Sequence, residues 1–113
     1  SRSITEPKLL LTAVERFKEE NPLFTITEIV SGGARGVDRM GEAYATTNDL
    51  DCHIFYAEWD RLGRQAGIRR NETMGLYADG LLALWDGKSP GTKHMIGFMK
   101  KLTKPTYVFE VPT

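Results

Sequence analysis

Residues 31–38, SGGARGVD, follow the run ITEIV at 26–30 and lead into an amphipathic segment that begins at Val37. ITEIV alternates β-branched apolar residues with polar ones and runs straight into two glycines, as a strand does where it ends in a tight turn. Gly32, Gly33 and Gly36 permit positive φ and close backbone approach. The helix behind them offers unpaired N–H groups and the positive end of its dipole, and Arg35 and Arg39 add charge. Two readings of these eight residues stay open: an anion cradle built around Ser31, Gly32, Gly33, Arg35 and Gly36, or a steric turn with surface arginines.

Outward from this turn, helices and strands alternate. Leu9, Leu10, Ala13, Val14 and Phe17 recur at helical spacing behind Thr5 and Pro7, so 6–20 reads as a helix that ends before Pro22. A second helix is expected over 37–46 with Met40, Ala43 and Tyr44 toward the core, then a short strand at 52–57, CHIFYA. The polar stretch 58–67, EWDRLGRQAG, reads as a loop. Residues 68–78 read as a helix with Ile68, Met74 and Tyr77 buried, and DGLLALWD at 79–86 as an apolar strand covered on both faces. A turn at 87–92, a helix over 93–102 and a last strand TYVFEV at 106–111 complete the order. This alternation predicts an α/β three-layer sandwich with a mostly parallel sheet, whose ligands sit beyond the carboxyl ends of the strands.

The sequence begins with SRSITEP and passes directly into a helix, although a doubly wound sheet normally opens on a central strand that feeds that helix. Without it, two strand edges inside the sheet are left unpaired. The expectation is that the first strand comes from preceding residues or from another chain.

The size, 113 residues, suits one domain spanning 1–113. Fifteen Lys plus Arg balance fifteen Asp plus Glu, so the total charge gives no reason to expect a general nucleic-acid or anionic-membrane binder, and charge-based function must come from local placement. The single cysteine, Cys52, excludes an intramolecular disulfide and a cysteine-cluster metal site, and reads as a packed small residue. With no apolar run long enough to span a bilayer and no signal-peptide pattern, the cytoplasm is the expected compartment.

Two further loops repeat the logic of the glycine turn. In WDGKSPGTKH, 85–94, Asp86 and Gly87 end a strand, Gly91 shapes the loop, Ser89 or Thr92 can cap the next helix, and Lys88, Lys93 and His94 add donors. WDRLGRQAGIRRNETM, 59–74, also starts near a strand's carboxyl end and carries Arg61, Arg64, Arg69 and Arg70. In a neutral protein, three cation-bearing loops on one edge point to a pocket for a phosphate-bearing small molecule. His53 and His94 lack metal-ligand spacing, so no metal or other cofactor is expected. Asp38 and Asp60 suit acid–base work or helix-start roles, and Trp59 and Trp85 suit base stacking or core packing.

VSGGARGVDRMGEAYA, followed in order by WDRLGRQAGIRRNETM, ADGLLALWDGKSPGTKHMI and KPTYVFEV, resembles the SLOG superfamily, in particular its small YspA-like branch of bacteria and phages. The resemblance spans nearly the whole chain. It implies a Rossmann-like fold, a nucleotide or nucleotide-derived ligand and a homo-oligomer. It also implies that SRS is the tail of a Gly-Ser-Arg turn, which makes Ser1 and Arg2 part of another ligand-facing loop.

Among relatives in that superfamily, the LOG-type phosphoribohydrolases cleave the N-glycosidic bond of nucleoside monophosphates with an arginine and a glutamate. Counted back from Asp79, their arginine falls on Arg70, with Met74 also matching; counted from Gly91 and Thr92, their glutamate positions hold His94 and Met95. A methionine cannot stabilise an oxocarbenium-like cation or activate water, so cleavage here would need Asp38, Asp86 or Glu72 as the acid. The resemblance therefore implies a ligand-binding domain, a sensor or sequestering module. Its alternatives are a phosphoribohydrolase with a relocated carboxylate and single-stranded DNA handling of the kind done by DprA, which has a similar glycine turn; the neutral charge speaks against the last.

Overall fold

The structure, a computed structural model, describes residues 6–111. Its order is α1 (Pro7–Glu20), β1 (Glu28–Ser31), α2 (Val37–Thr47), β2 (Asp51–Ile54), α3 (Trp59–Leu62), a 3-10 turn (Gly63–Gln65), α4 (Ala66–Tyr77), β3 (Leu81–Trp85), α5 (Pro90–Lys101) and β4 (Thr106–Glu110). The alternating α/β reading holds. The expected loop at 58–67 does not, because α3, the 3-10 turn and the start of α4 occupy most of it. Its charged residues carry no apolar period to announce a helix; Arg61 pairs locally with Glu58, and Gly63 at φ +57° ends α3.

Helix α1 shows why the local pattern was readable. Pro7 sits in the first turn, where its missing N–H costs nothing. Leu10, Ala13, Val14 and Phe17 then form one buried stripe. Leu10, Ala13 and Val14 join Leu84 and Val111 in the central cluster, with Leu9, Ile26, Val37, Met40, Tyr44, Leu82 and Phe109 packed around it.

Among the described residues all strand pairing is parallel, but it comes in two separate pairs. β1 runs beside β2 from Glu28–Asp51 to Ser31–Ile54, and β3 beside β4 from Leu81–Thr106 to Trp85–Glu110. No ladder joins the two pairs. Helix α2 covers β1 and β2 and packs on α1, which reaches over β3 and β4; α5 also packs on β3 and β4 and against α4. The layers are thus α1 with α2, the strands, and α4 with α5: a Rossmann-like sandwich.

Between the facing edges of β1 and β3 lies a cavity of about 870 Å³. It explains why burial is shallower than the sequence suggests. Within β3 only Ala83 and Leu84 are buried, while Leu81 and Leu82 border the cavity with Ile29 and Val30 of β1. Four further expectations are corrected. Ala43 is exposed, and Ala45 is the residue of α2 that is buried. Ile68, in the first turn of α4, and Tyr77, at its end, where the ring meets His53 and Phe55 and the hydroxyl bonds Glu28, are each about half exposed. Cys52 is exposed because β2 lies at the outer edge of its pair.

The C-terminal half is held by close helix packing. A Cβ on Gly75 of α4 would lie 2.7 Å from the Phe98 ring of α5, so only glycine permits this crossing as it stands. Lys104 Nζ donates to the carbonyls of Gly75, Leu76 and Ala78 and closes the end of α4. Among the described residues no helix is long and apolar enough to cross a membrane.

Candidate functional site

The turn after β1 is organised by side chains on both flanks. Ser31 is 1% exposed; its hydroxyl donates to Glu42 Oε2 at 2.6 Å and accepts the Gly33 N–H at 3.0 Å. Asp38 Oδ2 accepts the Ala34 N–H at 3.2 Å, which ties the turn to the first turn of α2. Gly36 caps α2 at φ +79°, a conformation that side-chain-bearing residues rarely adopt. The Gly33 and Ala34 amides are therefore engaged inside the turn.

Arg70 of α4 closes over this turn. Its Nη1 donates to the Gly32 carbonyl at 2.5 Å and its Nε to Asn71 Oδ1 at 2.9 Å. A Cβ on Gly32 would stand 2.7 Å from Nη1, so the glycine is needed for the guanidinium to lie this close.

The loop after β3 is built around Asp86. Its carboxylate accepts the Ser89 and Lys88 N–H groups at 2.7 and 2.8 Å and the Ser89 hydroxyl at 2.8 Å. The backbone bond from Ser89, then that from Lys88, then the Ser89 hydroxyl, lower its pKa to about 2. Trp85 Nε1 donates to the Ser89 carbonyl at 3.1 Å, which fixes the indole against the loop. With the Ser89 hydroxyl donating to Asp86, no side-chain cap of α5 occurs among the described residues; the helix opens on Pro90, Gly91 and Thr92.

These loops meet at one end of the cavity. Arg35 and Asp38 from the turn, Arg70 and Asn71 from α4, and Ser89, Gly91 and Thr92 from the β3–α5 loop all line it. Gly32, Gly33 and Gly36 shape the turn without lining the cavity, as Asp86, Gly87 and Lys88 do for the second loop. Arg64 and Arg69 are exposed away from it. Glu72 also lies off the lining, with Oε2 3.8 Å from His94 Nε2. Ser1 and Arg2 lie outside the described residues. No cluster of three or more metal-ligating side chains occurs among the described residues.

Three residues near the site were not singled out from the sequence. Glu42 supports Ser31, and the Asp38/Glu42 spacing on one helix face was the available signal. Asn71, next to Arg70, orients its guanidinium. Tyr56, at the carboxyl end of the CHIFYA run, is 75% exposed and lies over Gly33.

The model of the YAcAr family, described as the YspA, cpYpsA-related SLOG family, matches residues 1–62, more than half of the 113. The chain belongs to the YAcAr family. SLOG proteins are Rossmannoid, and membership points to a nucleotide-related function. The part matched to YAcAr carries α1, β1, the glycine turn, α2, β2 and α3; Arg70 and the β3–α5 loop lie beyond it. Searches of curated proteins and of solved structures returned no match.

Proposed function

We propose that the chain binds a nucleotide or nucleotide-derived ligand at the carboxyl ends of its strands and acts as a sensor or sequestering module. The observation that carries this reading is that Arg35, Arg70 and the first turn of α5, Gly91 and Thr92, line one cavity. Arg70 is held by two of its nitrogens, Nη1 on Gly32 and Nε on Asn71, which leaves Nη2 for an anionic oxygen. A guanidinium fixed in this way loses little freedom on binding a phosphate. Gly91 and Thr92, in the first turn of α5 at the positive end of its dipole, line the same cavity. Tyr56 supplies a flat, exposed ring beside the turn on which a base can stack.

Binding without cleavage fits the carboxylates better. Asp38 is occupied with the Ala34 amide, Asp86 with the Ser89 and Lys88 amides, and Glu72 faces His94. Met95, at one of the positions where LOG-type enzymes carry a glutamate, is buried.

The test is thermal unfolding in the presence of AMP, ADP-ribose, ribose and inorganic phosphate, with chromatography of the same mixtures for free base. A saturable rise in Tm with the nucleotides and no base release is expected; at 100 times Kd the stabilisation is about 2.7 kcal/mol. Arg70→Ala should weaken binding at least tenfold, on the order of the 1.5–3 kcal/mol of a charge-assisted hydrogen bond. No Tm rise with either nucleotide would refute the proposal, and base release would replace it with the hydrolase.

A further inference from the structure

We propose that the outer edge of β2, with the uncovered face of β1 and β2 beside it, is a docking site for an extended, cationic segment of a partner protein. The register of the two strands identifies the face. Ile29 lies against Gly41 and Ser31 bonds Glu42, both on α2, so the alternate positions Glu28 and Val30 point away from that helix. Their partners in the ladder, Asp51 and His53, share their face. Helix α4 packs with α5 rather than along β1 or β2, and it reaches this face through Tyr77. The His53 and Phe55 rings stack at 4.2 Å, and the Tyr77 ring meets them at 5.0 and 5.4 Å. His53 is exposed, Tyr77 is 47% exposed and Phe55 is only partly covered, so the three rings form an open aromatic surface rather than a core.

Charge and backbone together identify the occupant. Glu28, Asp51 and Asp79 stand close enough to the rings to act on Tyr77: the Glu28 hydrogen bond first, then burial, then the three carboxylate charges push its pKa up. Among the described residues none of the three carboxylates is in an ion pair with Lys, Arg or His. The patch is thus negative in a protein of zero formal net charge, and ring faces beside carboxylates attract ammonium and guanidinium groups. The edge of β2 calls for a backbone as well. Phe55 N–H donates to the Ser31 carbonyl on the β1 side, so Cys52 and Ile54 turn their N–H and C=O groups to the outer edge, where no described strand pairs with them. A polyamine satisfies the carboxylates alone, whereas a strand added beside β2 satisfies both. Every second side chain of that strand lies next to Asp51, His53 or Phe55, which sets the pattern of the partner: cationic at alternate positions. This face is separate from the arginine end of the ligand cavity, since Tyr77 and Arg70 stand roughly 10 Å apart along α4.

The experiment measures binding of fluorescein-labelled peptides of about ten residues to the 113-residue chain by anisotropy, with amide exchange read on the same mixtures. One peptide alternates Lys and Val, a second Ser and Val, a third Glu and Val, and the fourth is the Lys/Val peptide N-methylated along the backbone at every second residue. The Lys/Val peptide should bind at least about tenfold more tightly than the other three, weaken as salt is raised, and slow exchange at Cys52 and Ile54. Asp51→Lys should lower its affinity at least about tenfold and His53→Ser by a smaller factor, whereas Glu19→Lys, the same charge change at an exposed position of α1, should cost less than about twofold. Asp51 and His53 are exposed, and Tm checks that the variants are folded. Equal binding of the Lys/Val and Ser/Val peptides, or of the N-methylated form, would overturn the proposal, as would equal losses from Asp51→Lys and Glu19→Lys. So would protection of Cys52 and Ile54 in the chain alone through self-association seen in sedimentation, because the edge would then belong to a second copy.

Discussion

Ser31 is small, polar and almost wholly buried, and it serves the turn in two directions: it donates to Glu42 and accepts from Gly33. Ser31→Ala strands both partners in a partly buried site, so urea unfolding should show a loss of about 1–3 kcal/mol, with ligand affinity falling as the turn loosens. Asp86 offers a pH signature. Its folded pKa of about 2 lies below the ordinary 3.8, so its contribution to stability is complete above 3.8 and disappears as pH falls through 2. Melting of the native chain and of Asp86→Asn should therefore differ at pH 5 and above and converge between about pH 4 and pH 2. At this scale the glycine turn was legible from its local pattern, and Arg70 was singled out through the resemblance to LOG-type enzymes. The contacts that set their roles were not, since Arg70 reaches Gly32 across 38 residues of chain.

Among the elements, α4 and α5 show how tightly one side of the sandwich is assembled. Gly75 sits inside a helix, where glycine is a poor choice, and it is there because the Phe98 ring and Met99 sulfur take the space of a side chain. Gly75→Val should destabilise by about 1–3 kcal/mol in chemical denaturation, since the ring must move, despite the better helix propensity of valine. Elements with an apolar period were readable: α1, α2 and β3 lie within a few residues of expectation. Helix α3 was not, because its four residues WDRL bury nothing and are stabilised by a local Arg61–Glu58 pair and a glycine stop. Ile68 and Tyr77 misled for a related reason. They sit at opposite ends and on opposite sides of α4, each only half covered, and in Tyr77 the apolar ring supports a hydroxyl bonded to Glu28.

For the molecule as a whole, the order of elements and the placing of the glycine turn and the β3–α5 loop at one edge followed from alternation and parallel topology, whereas the third expected loop is helical and, of its four arginines, Arg70 alone lines the cavity. The division of the strands into two pairs, and which cations reach the shared edge, depended on packing that no local pattern encodes. The division has a mechanical meaning. The β1–α2–β2 unit and the α4–β3–α5–β4 unit behave as two leaves bound along the spine of α1, and the hydrogen bonds that cross between them include Arg70 to Gly32 and Tyr77 to Glu28. Arg70 stands on one leaf and grips the other beside the cavity between them. A small anion received there would act as a clasp, and the force needed to part the leaves would report its presence.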